Sequence, residues 1–253
     1  VVLLPADRAS SCQGRQSAAL GARLLAVEGS YDTCRALADR CFADPDLAGL
    51  GLVSADSANI GRIVGLVPLF FEAVARVQVL ALREPPVLAL PSGDLGLLCA
   101  GLLAKGMGLP VKAFVAATPA GDATELCPDL AVAAPANGER LQALLDHKPS
   151  FQALLRPGSP SGEGLLASAR ELRAAGCVPD PAGALAHAAL REHLGPTETG
   201  ILLATAHPAK SSGFLRRRLD LDLDPPEALA GLPEASAHPL PADIEALKHE
   251  LLH

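Results

Sequence analysis

The stretch from Val87 to Thr118, VLALPSGDLGLLCAGLLAKGMGLPVKAFVAAT, constrains the fold more than any other part of the sequence. Four apolar residues lead into a glycine-containing turn, Pro91 to Gly96, and then into a dozen residues with helical periodicity. This order predicts a buried strand that turns directly into a helix, an arrangement whose backbone N–H groups often receive an anion. A purely structural turn would use the glycines equally well. Asp94 stands in the middle of the turn, where its charge would oppose an anion.

Strands and helices alternate along much of the chain with short glycine-bearing connections, which predicts parallel sheets with crossover helices. A chain of 253 residues can form one large domain or two smaller ones. The predicted strands cover residues 1–5, 23–28, 50–54, 87–90, 109–117 and 200–204. The predicted helices cover residues 10–20, 31–42, 63–79, 139–146, 162–175 and 182–193, besides the helix that follows the glycine turn.

Composition excludes several classes of function. With 49% hydrophobic residues, 3% aromatic residues and no Trp, the chain has an aliphatic core and is globular. The net charge of −7 argues against nucleic acid and anionic membranes as partners. Charged residues and a proline interrupt the most apolar window, residues 60–82, so no transmembrane helix is predicted. The six cysteines lack metal-ligand spacing, which favours buried, reduced thiols in a cytoplasmic protein and no metal site.

Single residues carry weaker signals. The polar segment from Ser54 to Asn59 follows a predicted strand and, taken alone, is typical of a capped helix start. His207 is more often a structural residue than a base in such a position. The sequence has no Walker lysine and no G-x-G-x-x-G with an acidic residue about 20 positions on, so an unrelated nucleotide-binding protein is poorly supported.

Several segments, taken together and in order, resemble threonine synthase, a pyridoxal-phosphate lyase of fold type II, in its longer-chain branch. The resemblance covers nearly the whole chain and is weakest from 119 to 180, with PSGxxG and TAHPAK as its most specific elements. The segments are LPADRASSCQ (4–13), LLAVEGSYDTCRALADRCF (24–42), VSADSANIGR (53–62), LPSGDLGLLCAGLLAKGMGLPVKAFVAAT (90–118), ANGERL (136–141) and LLATAHPAKSSGF (202–214).

The resemblance implies two α/β domains with mostly parallel sheets, truncated at the N-terminus. Residues 1–64 would be part of the smaller domain, and residues 65–253 the C-terminal half of the larger, pyridoxal-phosphate-binding domain. The family converts O-phosphohomoserine and water to threonine and phosphate, with the cofactor as electron sink.

The resemblance also assigns site residues. The cofactor phosphate would lie in the loop formed by Ser92, Gly93, Asp94, Leu95 and Gly96, and Thr205 would lie beside the pyridine nitrogen. Near the substrate the family pattern retains Ser54, Asn59 and Arg62, and the Arg62 guanidinium is the expected phosphate partner.

Departures from the family pattern leave two hypotheses open. The Schiff-base lysine of the family's S-F-K-D motif is absent, so no catalytic residue is assigned and the chain alone is expected to be inactive. Asp56 and Asp94 replace asparagines, and residues 180–184 lack the family's histidine. The chain is either part of an enzyme whose missing N-terminal segment supplies the lysine, or a non-catalytic remnant or interaction protein that keeps the fold. In both cases incomplete sheets would expose strand edges and apolar surface, favouring self-association or pairing with the missing segment.

Overall fold

The computed structural model describes residues 1–78, 84–131 and 135–253. Its strands are β1 Val2–Pro5, β2 Leu24–Val27, β3 Val87–Pro91, β4 Ala113–Ala117, β5 Leu155–Gly158, β6 Gly200–Leu202 and β7 Ala237–Leu240. Its helices are α1 Cys12–Ala19, α2 Tyr31–Ala43, α3 Ile60–Gln78, α4 Gly96–Gly106, α5 Ala123–Leu126, α6 Gly138–His147, α7 Gly162–Ala174, α8 Pro181–His193, α9 Ser212–Leu219, α10 Glu227–Ala230 and α11 Ile244–Leu252.

The chain divides into two compact units, one formed by residues 1–54 with 224–253 and the other by residues 55–223. This division differs from the expected one, 1–64 and 65–253, at both ends of the second unit. The physical reason lies in strand pairing, because β7 runs parallel to β2 with Leu24 opposite Ala237, so the last part of the chain completes the first sheet.

The first unit is built around a three-stranded parallel sheet in the order β1-β2-β7. All four residues of the central strand β2 are buried. Helices α2 and α11 contribute Leu37 and Leu247 to the core beside that strand. Lys248, on α11, forms ion pairs with Asp44 at 3.0 Å and with Asp46 at 2.7 Å, which joins α11 to the end of α2.

The second unit contains a four-stranded parallel sheet in the order β5-β4-β3-β6. Side chains of alternate residues point to opposite faces of a strand. On one face Leu88, Leu90 and Phe114 belong to a core that includes residues of α3, α4 and α6. On the other face Val87 and Val115 belong to a core that includes residues of α7, α8 and α9. Because all four strands are parallel, their carboxyl ends meet at one edge of the sheet.

Several predicted elements differ from the structure. Residues 50–54, predicted as a strand, form none, since a 3-10 turn ends at Leu50, Gly51 is left-handed at φ 59°, and Val53 is 78% exposed. The predicted strand over 109–117 is formed only from Ala113. The predicted helix over 63–79 begins at Ile60, and its predicted end at Val79 lies outside the described residues.

Cysteines and helix lengths bear on the expected class of protein. All six thiols are free, and four of them are buried, but Cys177 is exposed, so the prediction of buried thiols is wrong for that residue. None of the helices in the described ranges is long and apolar enough to cross a membrane, and residues 79–82 of the most apolar window lie outside those ranges. Nor do the described side chains contain a cluster of three or more His, Cys, Asp or Glu that could hold a metal.

Candidate functional site

The loop between β3 and α4 is fixed to the sheet by Ser92. The Ser92 side chain is 1% exposed, and its Oγ donates a hydrogen bond to the carbonyl of Leu90 at 3.1 Å. Its backbone N–H donates to the carbonyl of Ala117 at 2.8 Å, on the neighbouring strand β4. Leu95 then adopts a left-handed conformation, φ 62°, immediately before α4 begins at Gly96. The loop thus turns sharply from a central strand into a helix, as predicted.

The backbone of this loop has the geometry of an anion site. Within the described ranges, no protein group accepts a hydrogen bond from the N–H of Gly93, Asp94 or Leu95. Successive N–H groups beside a left-handed residue form a concavity that receives anions. At Gly93 an added Cβ would lie 2.7 Å from the Cα and the carbonyl oxygen of Leu130, so only glycine fits there. The backbone donors therefore suit a phosphate group.

The Asp94 carboxylate is engaged inside the same loop. Its Oδ1 accepts a hydrogen bond from the backbone N–H of Gly96 at 2.9 Å, at the first residue of α4. A negative charge is favourable near a helix N-terminus. The carboxylate thereby takes up a donor of the helix start and adds a negative charge beside the three N–H groups. We conclude that the backbone of the loop fits a phosphate, whereas the Asp94 side chain weakens the fit.

The segment before α3 is folded on its own polar side chains. Oδ1 of Asp56 accepts from the N–H of Ala58 at 2.8 Å, and Oδ1 of Asn59 accepts from the N–H of Gly61 at 2.7 Å. Nη1 of Arg62 donates to the carbonyl of Ala55 at 3.1 Å. Asn59 and Arg62 therefore stabilise the turn that leads into α3, which agrees with a capped helix start.

Asn137, immediately before α6, joins these two segments. Its side chain is fully buried, and Nδ2 donates both to the carbonyl of Ser57 at 3.0 Å and to the carbonyl of Asp94 at 3.1 Å. Nη2 of Arg140 donates to the carbonyl of Ala58 at 2.7 Å, and Nη1 donates to Oδ1 of Asn137. The segment ANGERL belongs to the resemblance, but the sequence predicts no role for Asn137 or Arg140. The available signal was an asparagine at a helix start with an arginine three residues later.

The two remaining predicted site residues are Ser54 and Thr205. Ser54 belongs to the first unit, whereas Asn59 and Arg62 belong to the second, so the predicted substrate residues are divided between the units. Thr205 is exposed and lies three residues beyond β6, whose Leu202 pairs with Ala89 of β3. Because β3 and β6 are parallel neighbours, Thr205 follows the same sheet edge as the glycine loop.

Histidine and lysine side chains near these elements have structural contacts. Nδ1 of His207 accepts a hydrogen bond from the N–H of Ala209 at 3.2 Å, which supports the structural interpretation of that residue. Lys210 lies in the turn Pro208–Ser211. The other four lysines also have contacts, namely Lys105 with the Val111 carbonyl, Lys112 with Glu84 and Glu198, Lys148 with the Phe151 ring, and Lys248 with Asp44 and Asp46.

Comparisons with known proteins identify the fold. No protein-family profile matches the chain. Threonine synthase from Escherichia coli K12 is 37% identical over an alignment of 275 residues, which covers 100% of this chain and 64% of that protein. The crystal structure of Escherichia coli threonine synthase matches with a TM-score of 0.84 at 36% identity, covering 99% of this chain and 63% of that one. The chain therefore has a threonine synthase-like fold of type II.

A second solved structure supports the threonine synthase-like fold. The structure of PLP-bound threonine synthase from Brucella melitensis matches with a TM-score of 0.81 at 22% identity, covering 98% of this chain and 64% of that one. The predicted α/β fold with parallel sheets is therefore confirmed. The chain spans slightly less than two thirds of the length of these threonine synthases.

Proposed function

We propose that this chain forms the phosphate-binding and substrate-binding part of a threonine synthase that uses pyridoxal phosphate. One observation carries the proposal: the loop after β3 presents three backbone N–H groups without an acceptor among the described residues, in a chain 37% identical to threonine synthase. Ser92, Gly93, Asp94, Leu95 and Gly96 would hold the cofactor phosphate, and the backbone rather than the Asp94 side chain would supply the donors.

Thr205 and Arg62 would complete the site through their side-chain chemistry. A hydroxyl at Thr205 can hydrogen-bond the pyridine nitrogen without placing a charge beside it. A guanidinium has five N–H donors, so Arg62 can bind the phosphate of O-phosphohomoserine while one of them remains on the Ala55 carbonyl. Asn59 would contact the same substrate. When bound, pyridoxal phosphate supplies the electron sink for the reaction.

The reaction itself requires a lysine that residues 1–253 do not offer in the family's S-F-K-D context. We infer that a further segment supplies this lysine, and that the chain alone does not convert O-phosphohomoserine to threonine. In the complete system the protein would act in threonine biosynthesis in the cytoplasm, on a small-molecule substrate, with neither nucleic acid nor membrane as partner.

An apolar face of α3 supports the proposal of a further segment. Ile60, Val64 and Phe71 lie on one side of the helix by their spacing and are 54%, 56% and 36% exposed. The neighbouring face of the helix, with Ile63 and Phe70 about a quarter of a turn away, is buried in the core of the second unit. An apolar surface that extends beyond the buried face of a helix is typically covered by another part of a protein. We propose that the remaining third of the family fold covers the exposed side.

The alternative is a non-catalytic remnant, and one contact favours it. The Asp94 carboxylate occupies the N–H of Gly96 and brings a negative charge where a cofactor phosphate would lie. Two like charges about 4 Å apart at an effective dielectric of about 20 repel by roughly 4 kcal/mol before relaxation. Such a repulsion corresponds to roughly a thousandfold in affinity.

The test is a binding experiment with pyridoxine 5′-phosphate, compared with pyridoxine. These ligands carry the ring without the aldehyde, so they cannot react with the five lysines. The chain has no Trp, so ligand fluorescence can be followed directly. If the loop is a phosphate site, pyridoxine 5′-phosphate binds at least roughly tenfold more tightly than pyridoxine, and Asp94→Asn increases the preference. Equal affinities for the two ligands in both proteins would refute the cofactor role.

A second measurement addresses the lysine. Neither the natural chain nor Asp94→Asn should release phosphate from O-phosphohomoserine, because the Asn substitution restores no lysine. Adding a threonine synthase segment that contains S-F-K-D should restore phosphate release if the chain is the complementary part. Release by Asp94→Asn alone would contradict this assignment of the missing group.

A further inference from the structure

Asn137 is unusual because all of its polar groups are hydrogen-bonded and three of them connect α6 to distant parts of the second unit. Its backbone N–H and its Nδ2 both donate to the carbonyl of Asp94, at 3.2 and 3.1 Å. The second Nδ2 hydrogen bond reaches the carbonyl of Ser57, 80 residues earlier in the sequence. Its own carbonyl accepts from the N–H of Leu141 and from the Cys99 thiol. The residue is fully buried, so water cannot replace these contacts.

Arg140 fixes the orientation of this amide. Its guanidinium donates to Oδ1 of Asn137, which turns Nδ2 toward the two carbonyl oxygens. A rotated amide would place an oxygen against those carbonyls and an NH2 group against a cation, and both arrangements are unfavourable. The second donor of Arg140 holds the Ala58 carbonyl directly. Two side chains at the start of α6 therefore hold residues 57 and 58 beside residue 94.

The Asn137 side chain does not cap its own helix. Although it precedes α6 at the capping position, its side chain makes no hydrogen bond to an N–H of the first turn. An asparagine at such a position usually supplies that bond. The side chain instead meets the loop so closely that a Cβ at Gly96 would lie 3.2 Å from its Nδ2. The local sequence thus gives up a helix cap in favour of contacts between two distant loops.

We propose that Asn137, oriented by Arg140, is a positioning residue that sets the distance between the phosphate loop, residues 92–96, and the polar segment, residues 55–59. This role rests on the proposed function, in which the first binds the cofactor phosphate and the second leads to the substrate residues Asn59 and Arg62. A shift of either loop would move the two binding sites relative to each other, and small displacements of that kind are costly in catalysis.

The test combines hydrogen exchange with ligand binding on the full chain. In Asn137→Asp a carboxylate oxygen replaces Nδ2 and faces the carbonyls of Ser57 and Asp94. Amide exchange should rise roughly tenfold or more at the hydrogen-bonded amides of the two loops, Ala58 and Asn59 in 55–59 and Ser92 and Gly96 in 92–96, while β3 and α8 remain protected. The affinity ratio of pyridoxine 5′-phosphate to pyridoxine should fall roughly tenfold. A purely structural role would lower both affinities together and leave the ratio unchanged.

The matched control is Gln142→Glu, the same amide-to-acid change on the same helix at an exposed position, where Nε2 bonds Asp146. It should change neither loop exchange nor the affinity ratio. If Asn137→Asp fails to fold, Arg140→Lys serves instead, since it keeps the positive charge but not the two-donor fork, and it should raise exchange in 55–59 more than in 92–96.

The possible outcomes separate the two proposals. Raised exchange in both loops of Asn137→Asp supports the positioning role, even if the natural chain shows no preference for the phosphorylated ligand and the cofactor role fails. Unchanged exchange in either loop, or an unchanged affinity ratio in a natural chain that prefers the phosphorylated ligand, overturns the positioning role without affecting the cofactor role.

Discussion

Arg156 and Glu198 form a two-pronged ion pair in which Nη1 and Nη2 each donate to a different carboxylate oxygen at 2.8 Å. Arg156 lies on β5 and Glu198 lies two residues before β6, so the pair links β5 to the start of β6, the two outer strands of the four-stranded sheet. The carboxylate also accepts from the N–H of Gly195 at 2.8 Å and lies 3.2 Å from Nζ of Lys112. These donors hold the pKa of Glu198 well below its ordinary value, with the Arg156 hydrogen bonds as the largest cause.

Glu198→Gln should therefore destabilise the second unit in a pH-dependent way. Hydrogen bonds to charged groups contribute about 1.5–3 kcal/mol, and the variant should lose an amount of that order at pH 7. Because the folded pKa is depressed, the stabilisation is fully present above the ordinary pKa of 4.5 and is lost as the pH falls below it toward the folded pKa. Urea unfolding should give the same difference in free energy of unfolding between the two proteins at pH 7 and pH 5. The difference should be smaller at pH 3.5.

Glu171→Gln is the control for this prediction. Glu171 pairs with Arg191 on the surface, and both side chains are more than half exposed, at 52% and 59%. Exposed pairs contribute about 0–1 kcal/mol. Equal destabilisation by the two substitutions would contradict a special role for the Arg156–Glu198 pair.

Two helix glycines should respond oppositely to alanine. Gly65 in α3 is exposed, and an added Cβ would meet nothing within 4 Å, so Gly65→Ala should stabilise the unit by about 0.5–1 kcal/mol. Gly101 in α4 faces the edge-to-face pair Phe70 and Phe114, whose ring centroids are 6.2 Å apart. A Cβ there would lie 2.8 Å from one ring and 2.9 Å from the other.

Gly101→Ala should destabilise the unit by about 1–3 kcal/mol, because both rings are fully buried and have no space to move. Thermal unfolding of the two variants provides the measurement. A gain of stability in both proteins would show that α4 does not approach the rings as closely as described.

Thiol reactivity should follow burial and pKa. Cys177 is exposed, whereas burial raises the pKa of the fully buried Cys99 to about 11. A raised pKa leaves less thiolate at pH 8, so Cys99 should react with a thiol reagent only after unfolding. Cys177→Ser should remove the fastest phase of labelling in the native protein. Rapid labelling of Cys99 in the native protein, located by peptide mass, would mean that the first turn of α4 opens freely.

The exposed face of α3 should drive association of the isolated chain. Sedimentation at micromolar concentration should show species heavier than 25.8 kDa, and replacing Val64 and Phe71 together with Gln should shift the distribution toward the monomer. The matched control replaces Leu20 and Val53, 83% and 78% exposed but in the first unit, which should change association little. A monodisperse monomer of the natural chain would argue against an uncovered interface.

The sequence predicted the central elements of the second unit well, because β3 and β4 are buried on both faces and are continuous apolar runs. It missed β5 and β7, whose sequences LRPG and AHPL each contain a proline. Both are outer strands in their sheets, where a missing N–H is tolerated on the open side. Local composition identifies neither strand, since their places depend on partners far away in sequence.

The candidate site was predictable in part for a related reason. The glycine loop and the start of α3 are local structures with local signals. Asn137 connects positions 43 and 80 residues away, and no spacing rule indicates such contacts. The Asp at position 94, where the family has Asn, is visible in the sequence. The hydrogen bond that its carboxylate accepts from the Gly96 N–H is visible only in the three-dimensional structure.

The pairing of β7 with β2 has a consequence for synthesis. The first unit begins with residue 1, yet its central strand gains its second neighbour only from residues 237–240. The intervening residues 55–223 have their own sheet and two cores, so we expect them to fold on the ribosome while the earlier residues still wait for their partner. Nascent chains stalled after residue 223 should then resist protease across β3 and β4 but be cleaved within residues 1–54. In this order of assembly, residues 1–54 are synthesised before residues 55–223 but become structured after them.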